Sequence, residues 1–258
     1  VDTRFLALAF SVAAFGFGFF VAMQYEYRRS IHGAVLVGAL LGASATTAQV
    51  IPTGSLRNTM WNGQQAGIIA MDSLLLPGMY GLGPLEYLRG EITVLDVKPI
   101  VSFMADDTTV IVEQRPDAKA PFFVRQQVKK WAAFGLPAEV VDLPSLDAFL
   151  LKHQAHKEEP FFFRLHGTVR DAEAHVMDLP PGTVLEGPAL AHATQKTFTV
   201  RDAEVELVGV FSTKHQAVFT HHGSNIHVHL IAADGSLMGH LDRLRLDPSQ
   251  MQLQVAEE

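Results

Sequence analysis

The stretch NIHVHLIAADGSLMGHLDRL, residues Asn225 to Leu244, alternates like a β-hairpin, yet three of its strand positions carry histidine. Successive side chains of a strand point to opposite faces, so His227 and His229 share one face. Asp234-Gly235 is a two-residue hairpin signal; with that turn Ala233 pairs with Ser236, and His229 falls opposite His240. Cross-strand neighbours hold their Cβ atoms about 5 Å apart. Three imidazoles thus converge on one face of one hairpin, the arrangement that a facial three-histidine site for zinc or a similar divalent metal needs. The other reading, ordinary half-buried strand histidines, suits a lone imidazole better than three in one register.

The rest of the composition narrows the chemistry. A chain of 258 residues, 48% hydrophobic, can bury one large core or two modest ones. A formal net charge of −7 provides no broad basic surface, so no nucleic-acid partner is expected. The absence of cysteine excludes disulfides, thiolate zinc sites and a cysteine nucleophile. Any metal must therefore be held by histidine and carboxylate. No Walker loop, dinucleotide glycine fingerprint or Gly-x-Ser-x-Gly elbow is present.

Residues 1–48 differ in character from the remainder of the chain. Phe5 to Met23 is uncharged and long enough to span a bilayer, which takes about 20 apolar residues. Behind Arg28 and Arg29, the run SIHGAVLVGALLGASATTAQ has the charged, apolar and small-residue regions of a secretory signal, with cleavage after Ala45 or Ala48. In one reading translation starts at Met23; in the other both runs form a helical hairpin or an uncleaved anchor. Either way the expectation is an exported or membrane-tethered protein whose N-terminus engages a membrane or the secretion machinery.

Beyond residue 49 the pattern predicts an α+β fold in two domains: an N-terminal α/β part with a mixed sheet (residues 49–155) and a mainly antiparallel β part carrying the metal hairpin (residues 156–258). EITVLDV (Glu91 to Val97) and TTVIV (Thr108 to Val112) read as a strand pair. Helical spacing in FVRQQVKKWAAF predicts an amphipathic helix over Phe123 to Phe134, and PSLDAFLLKH predicts another over Pro144 to His153. KHQAHKEEP (Lys152 to Pro160) reads as a linker, with His153 and His156 solvated. Strands are expected at Phe161 to Val169, Lys196 to Val200, Glu204 to Phe211, Ala217 to Thr220, Asn225 to Ala232 and Leu237 to Leu246. His221 and His222 fall in the loop before the hairpin, as solvated residues or outer ligands.

Two of these stretches also carry a family pattern. GLGPLEYLRGEITVLD (Gly81 to Asp96) and HVHLIAADGSLMGH (His227 to His240) resemble the paired signatures of the alpha-acetolactate decarboxylases, supported by APFFVRQQV (Ala120 to Val128) and FFFRLHGTV (Phe161 to Val169). The resemblance implies a two-domain α/β fold, a homodimer, and zinc held by His227, His229 and His240. It also implies decarboxylation of 2-acetolactate to acetoin, with Glu91 as acid/base. Arg164 lies on the strand that matches the family's arginine-containing strand.

The departures concern the substrate. Where the family places a second, substrate-facing arginine, a count of eight residues past Gly167 lands on His175, with Arg164 or nearby Arg170 as substitutes. Histidine offers a carboxylate one bond where a guanidinium offers two. Pro84 replaces a usual threonine, and Glu257 and Glu258 lie too near His240 in sequence to match the glutamate of the family's C-terminal tail. A divergent member that binds metal and a small hydroxy-keto acid without efficient decarboxylation is therefore the alternative. A cupin-like iron dioxygenase is a weaker one, because no glutamate closely follows His229.

Overall fold

A computed structural model describes residues 49–153, 159–221 and 223–257 of the chain. The signal and anchor expectations for residues 1–48, the solvated His156 and most of the linker lie outside the described residues. Among the described residues no helix is long and apolar enough to cross a membrane.

The elements run β1 (Ile51–Thr53), α1 (Leu56–Trp61), β2 (Ile69–Ala70), β3 (Met79–Pro84), β4 (Glu91–Leu95), β5 (Lys98–Met104), β6 (Val110–Gln114), β7 (Lys119–Ala120), β8 (Phe123–Gln127) and β9 (Trp131–Gly135). After α2 (Leu143–His153) come β10 (Phe161–Val176), α3 (Pro188–Thr194), β11 (Lys196–Phe211), β12 (Ile226–Ala232) and β13 (Met238–Ala256). The protein is mostly β-sheet with few helices, in the first part as well as the second.

A six-stranded antiparallel sheet has the order β1-β8-β3-β4-β5-β6, and a five-stranded antiparallel sheet the order β10-β11-β12-β13-β9. Because β10 also pairs with β13, the second sheet closes on itself. The second sheet draws on both sides of residue 155, because β9 pairs with the far end of β13. Phe162 and Phe219 are buried in a cluster that joins the two sheets through Leu82, Val124 and Val208. Burying a phenylalanine fully contributes about 2–3 kcal/mol.

Several local expectations change. Phe123 to Phe134 is two strands rather than a helix, because β8 lies between β1 and β3 and both its faces are covered, so ladder pairing overrides a weak helical period. The strands at Glu91 and Thr108 are not partners. KPIVSFM forms β5 between them; its Pro99 masks the strand in the sequence. Ala217 to Thr220 is a tight turn, with Ala217 at φ 61° and its N–H donating to Thr220 O at 2.8 Å. Lys196 to Phe211 is one strand through Asp202, and β13 runs well past Leu246. The helix over Pro144 to His153 is present, starting at Leu143, where Asp142 and Ser145 cap each other.

Gly81 and Gly239 have steric causes. A Cβ on Gly81 would sit 2.4 Å from the Phe123 ring, so only glycine lets β3 lie against β8. One on Gly239 would sit 2.5 Å from His175 O, which is why glycine precedes His240 where β13 meets β10.

Candidate metal centre

The hairpin has the register its sequence predicts. Ala232 N–H donates to Leu237 O at 2.8 Å across the Asp234-Gly235 turn, Gly235 takes φ 72°, and His229 pairs with His240. The closure of the sheet then adds a residue that the hairpin alone does not contain: His240 also pairs with His175 on β10. His175, His240 and His229 therefore form one row across three neighbouring strands, with His227 two residues along β12 on the same face. Ring centroids stand 4.8 Å apart for His175 and His240, 4.8 Å for His227 and His240, 5.1 Å for His227 and His229, and 5.7 Å for His229 and His240. His221 approaches from the loop before β12, 4.7 Å from His240 and 5.6 Å from His227.

The outer hydrogen bonds orient these rings. His227 Nδ1–H donates to Phe219 O at 2.8 Å, which leaves its Nε2 lone pair facing the cluster. His175 Nδ1–H donates to the Asp242 carboxylate, 2.8 Å from each oxygen. Thr93 Oγ1 lies 2.9 Å from His229 Nδ1 and donates its hydrogen to Met238 Sδ at 3.3 Å. As a metal ligand through Nε2, His229 would donate its Nδ1–H to Thr93 Oγ1. That Nε2 is buried without a hydrogen-bond partner, 3.7 Å from Glu91 Oε2.

Burial governs the charges. It holds His227 and His240 well below the ordinary imidazole range and His229 at about 3, with the neighbouring imidazoles adding to the effect. Burial also pushes the Glu91 carboxyl well above its usual range, opposed by a backbone hydrogen bond from Met177 and aided by Asp242. The donor set is therefore imidazoles that burial biases toward the neutral form, beside a carboxyl that burial biases toward its protonated form. Such nitrogens fit a divalent cation, and an orphaned buried Nε2 has the character of a ligand position. The ligand nitrogens of His221, His227 and His240 already lie within 4.8 Å of one another.

A pocket opens onto the cluster. Glu91, Pro84, His175, His221, His227 and His240 line it together with an apolar wall that includes Leu56, Leu88 and Phe122.

Arg164 is placed elsewhere. Its Nε donates to Gln254 Oε1 at 2.5 Å, its guanidinium lies 5.0 Å from the Trp131 ring centre and 3.7 Å from Glu206, and it does not line the cavity. Eleven residues separate it from His175 on the same strand, about 36 Å at 3.3 Å per residue. Arg170 pairs with Asp247 on the surface at 3.0 Å.

Sequence reasoning left out Thr93, Asp242 and the Phe219 carbonyl, and it rated His221 low. Asp242 did carry a signal, since it follows His240 by two and so shares its face. Nothing local marks Thr93 or Phe219, which reach the site from another sheet and from a turn.

Comparison with known proteins bears on the family and the fold. The family model described as alpha-acetolactate decarboxylase matches residues 53–258. The alpha-acetolactate decarboxylase of Brevibacillus brevis is 24% identical over 220 residues, covering 84% of this chain and 74% of its own. The crystal structure of alpha-acetolactate decarboxylase from Bacillus subtilis strain 168 superposes with a TM-score of 0.66 at 14% identity, over 81% of this chain and 86% of that one. A Staphylococcus aureus protein of unknown function, described as similar to alpha-acetolactate decarboxylase, gives 0.66 at 17% identity over 80% and 84%. At such identities these two likenesses are of fold. With four-fifths of its length matched by the family model, this chain belongs to the alpha-acetolactate decarboxylase family.

Proposed function

We propose that the protein decarboxylates 2-acetolactate, or a close 2-hydroxy-3-keto acid, to the corresponding acyloin, acetoin, with a divalent cation such as zinc held by His227, His229 and His240. The observation that carries this reading is the buried Glu91 carboxyl, 3.7 Å from His229 Nε2, in a pocket lined by imidazoles. When bound, the cation supplies a Lewis acid for the keto and hydroxyl oxygens, where negative charge grows as carbon dioxide leaves.

The chain's own groups do the rest. The apolar wall excludes water, which strengthens every charge interaction inside. His175, its ring set by Asp242, stands where it can face the departing carboxylate through a single ring nitrogen. The electron pair left by the broken carbon–carbon bond takes a proton from the Glu91 carboxyl. Because Glu91 occupies one wall, the proton arrives on one face and the product has one handedness.

The test is metal analysis together with chiral detection of acetoin formed from racemic acetolactate. Release of carbon dioxide at only the uncatalysed rate by metal-loaded protein would overturn the activity. One observation favours the alternative in that case: among the described residues lining the cavity there is no arginine or lysine, and the position matching the family's second arginine is His175. The divergent reading then predicts metal-dependent binding of acetolactate without turnover, which calorimetry would show. Homodimer formation belongs to the same proposal and is read by sedimentation. Export or tethering through residues 1–48 is read by cell fractionation.

A further inference from the structure

The segment between β11 and β12 is a built turn. Leu56 N–H of α1 donates to Val218 O at 2.9 Å and Arg57 N–H to Ala217 O at 3.1 Å, while Val218 and Phe219 N–H both donate to His215 O at 3.1 Å. The turn thereby presents the Phe219 carbonyl to His227 Nδ1, and two residues later it delivers His221 to the other side of the same ring. One short segment both orients a proposed ligand and places another imidazole beside it.

Two nitrogens on one tetrahedral zinc, each at about 2.05 Å, stand about 3.3 Å apart. The ligand nitrogens of His221, His227 and His240 lie within 4.8 Å of one another, so a contraction of at most about 1.5 Å joins them on one ion. His227 and His240 sit in paired strands, and the His227 ring is held by Phe219. His221 is half-buried on coil, two residues before Gly223 at φ 82°, outside the strand pairing that holds His227 and His240.

We propose that His221 is a fourth imidazole ligand of the ion held by His227, His229 and His240. The inference rests on the metal reading given under Proposed function. It also assigns a role to the position of His221. Together with His175, His192 and His240 it separates the inner cavity beside Glu91 from a wider outer cleft bordered by Asp147 and Asn225. Four nitrogens fill a tetrahedral ion. With His221 bound, four imidazoles would hold the ion, three of them carried on strands and His221 on coil.

The test uses the full protein loaded with cobalt(II), read by its visible d–d spectrum, by X-ray absorption and by competition with a chelator. The wild type is expected to show four imidazoles. His221→Ala and the ring-preserving His221→Phe are expected to show three plus oxygen, a shifted spectrum and a cobalt Kd weaker by about tenfold or more, with unchanged circular dichroism. Variants with the wild-type spectrum and Kd would overturn the fourth ligand while leaving the three-histidine site intact. A wild type that takes up no cobalt would overturn both, and His227→Ala, which should lose cobalt, separates the two failures.

Discussion

His229 and His240 stand directly opposite each other across β12 and β13, with ring centroids 5.7 Å apart and planes at 84°. The pair is the centre of the proposed cation site, and the β10 rung that brings His175 to His240 extends it. His240→Ala is expected to lower the metal retained per chain severalfold or more, because it removes one nitrogen from the proposed ligand set. Elemental analysis reads the loss, and an unchanged far-ultraviolet spectrum shows that the sheet survives.

Thr93 reaches this pair from the other sheet and orients the His229 ring through a 2.9 Å bond. Outer partners of metal-bound histidines affect affinity by about 10–100-fold. Thr93→Val, which keeps the shape and removes the hydroxyl, is expected to weaken zinc binding within that range. Equal chelator-competition constants for variant and wild type would remove Thr93 from the site.

Glu91→Gln keeps the volume but cannot donate an acidic proton. The expected result is a fall in kcat of about 10²–10⁴-fold with metal content intact. The same substitution has a pH signature in the metal-free protein. The folded-state pKa of Glu91 is raised above 4.5, so its contribution to stability is complete below that value and is lost as pH rises through the folded pKa. Glu91→Gln should thus raise the melting temperature more at pH 8 than at pH 4.

The buried imidazoles act in the opposite direction. His229 titrates at about 3 in the folded protein against 6.5 unfolded, so its contribution is present above 6.5 and is lost as pH falls toward 3. Each pH unit in that window is worth about 1.4 kcal/mol, which makes about 2 kcal/mol between pH 6.5 and pH 5 for His229 alone. His227 and His240 shift in the same direction. Denaturant midpoints of metal-free protein at pH 7.5 and pH 5 measure the sum, and His229→Gln should flatten the difference.

Arg164 serves as a control for the boundary of the site. Its ion pair with Glu206 lies 3.7 Å apart in a half-buried setting where burial already raises the Glu206 carboxyl. Arg164→Met leaves that carboxylate without its cation and is expected to cost about 1–3 kcal/mol of stability. Acetoin formation per metal-loaded chain should stay within about twofold; a 100-fold loss of kcat would place Arg164 in the reaction.

The residues that could be placed from sequence are those whose neighbours are local. In IHVHL the period of two sets the shared face of His227 and His229, and a two-residue turn at Asp234-Gly235 leaves one register for His240. The helix over Pro144 to His153 was legible for the same reason, with its cap and apolar positions a few residues apart. The segment Phe123 to Phe134 was not, because its apolar spacing satisfies a helix and a strand alike and only the presence of β1 and β3 on either side decides between them.

The amino-acid sequence by itself determined the hairpin, its histidine face and the glycine positions on which the family resemblance rests. Tertiary structure alone decided that His175 joins the row, that Glu91 and Thr93 look onto His229, that His221 turns inward, and that Arg164 stays out. The physical reason is the range of each constraint. Side-chain direction and turn register are properties of a few consecutive dihedral angles, whereas the closure of β13 onto β10 and the packing of β4 over β12 depend on which apolar faces across the whole chain can be buried together.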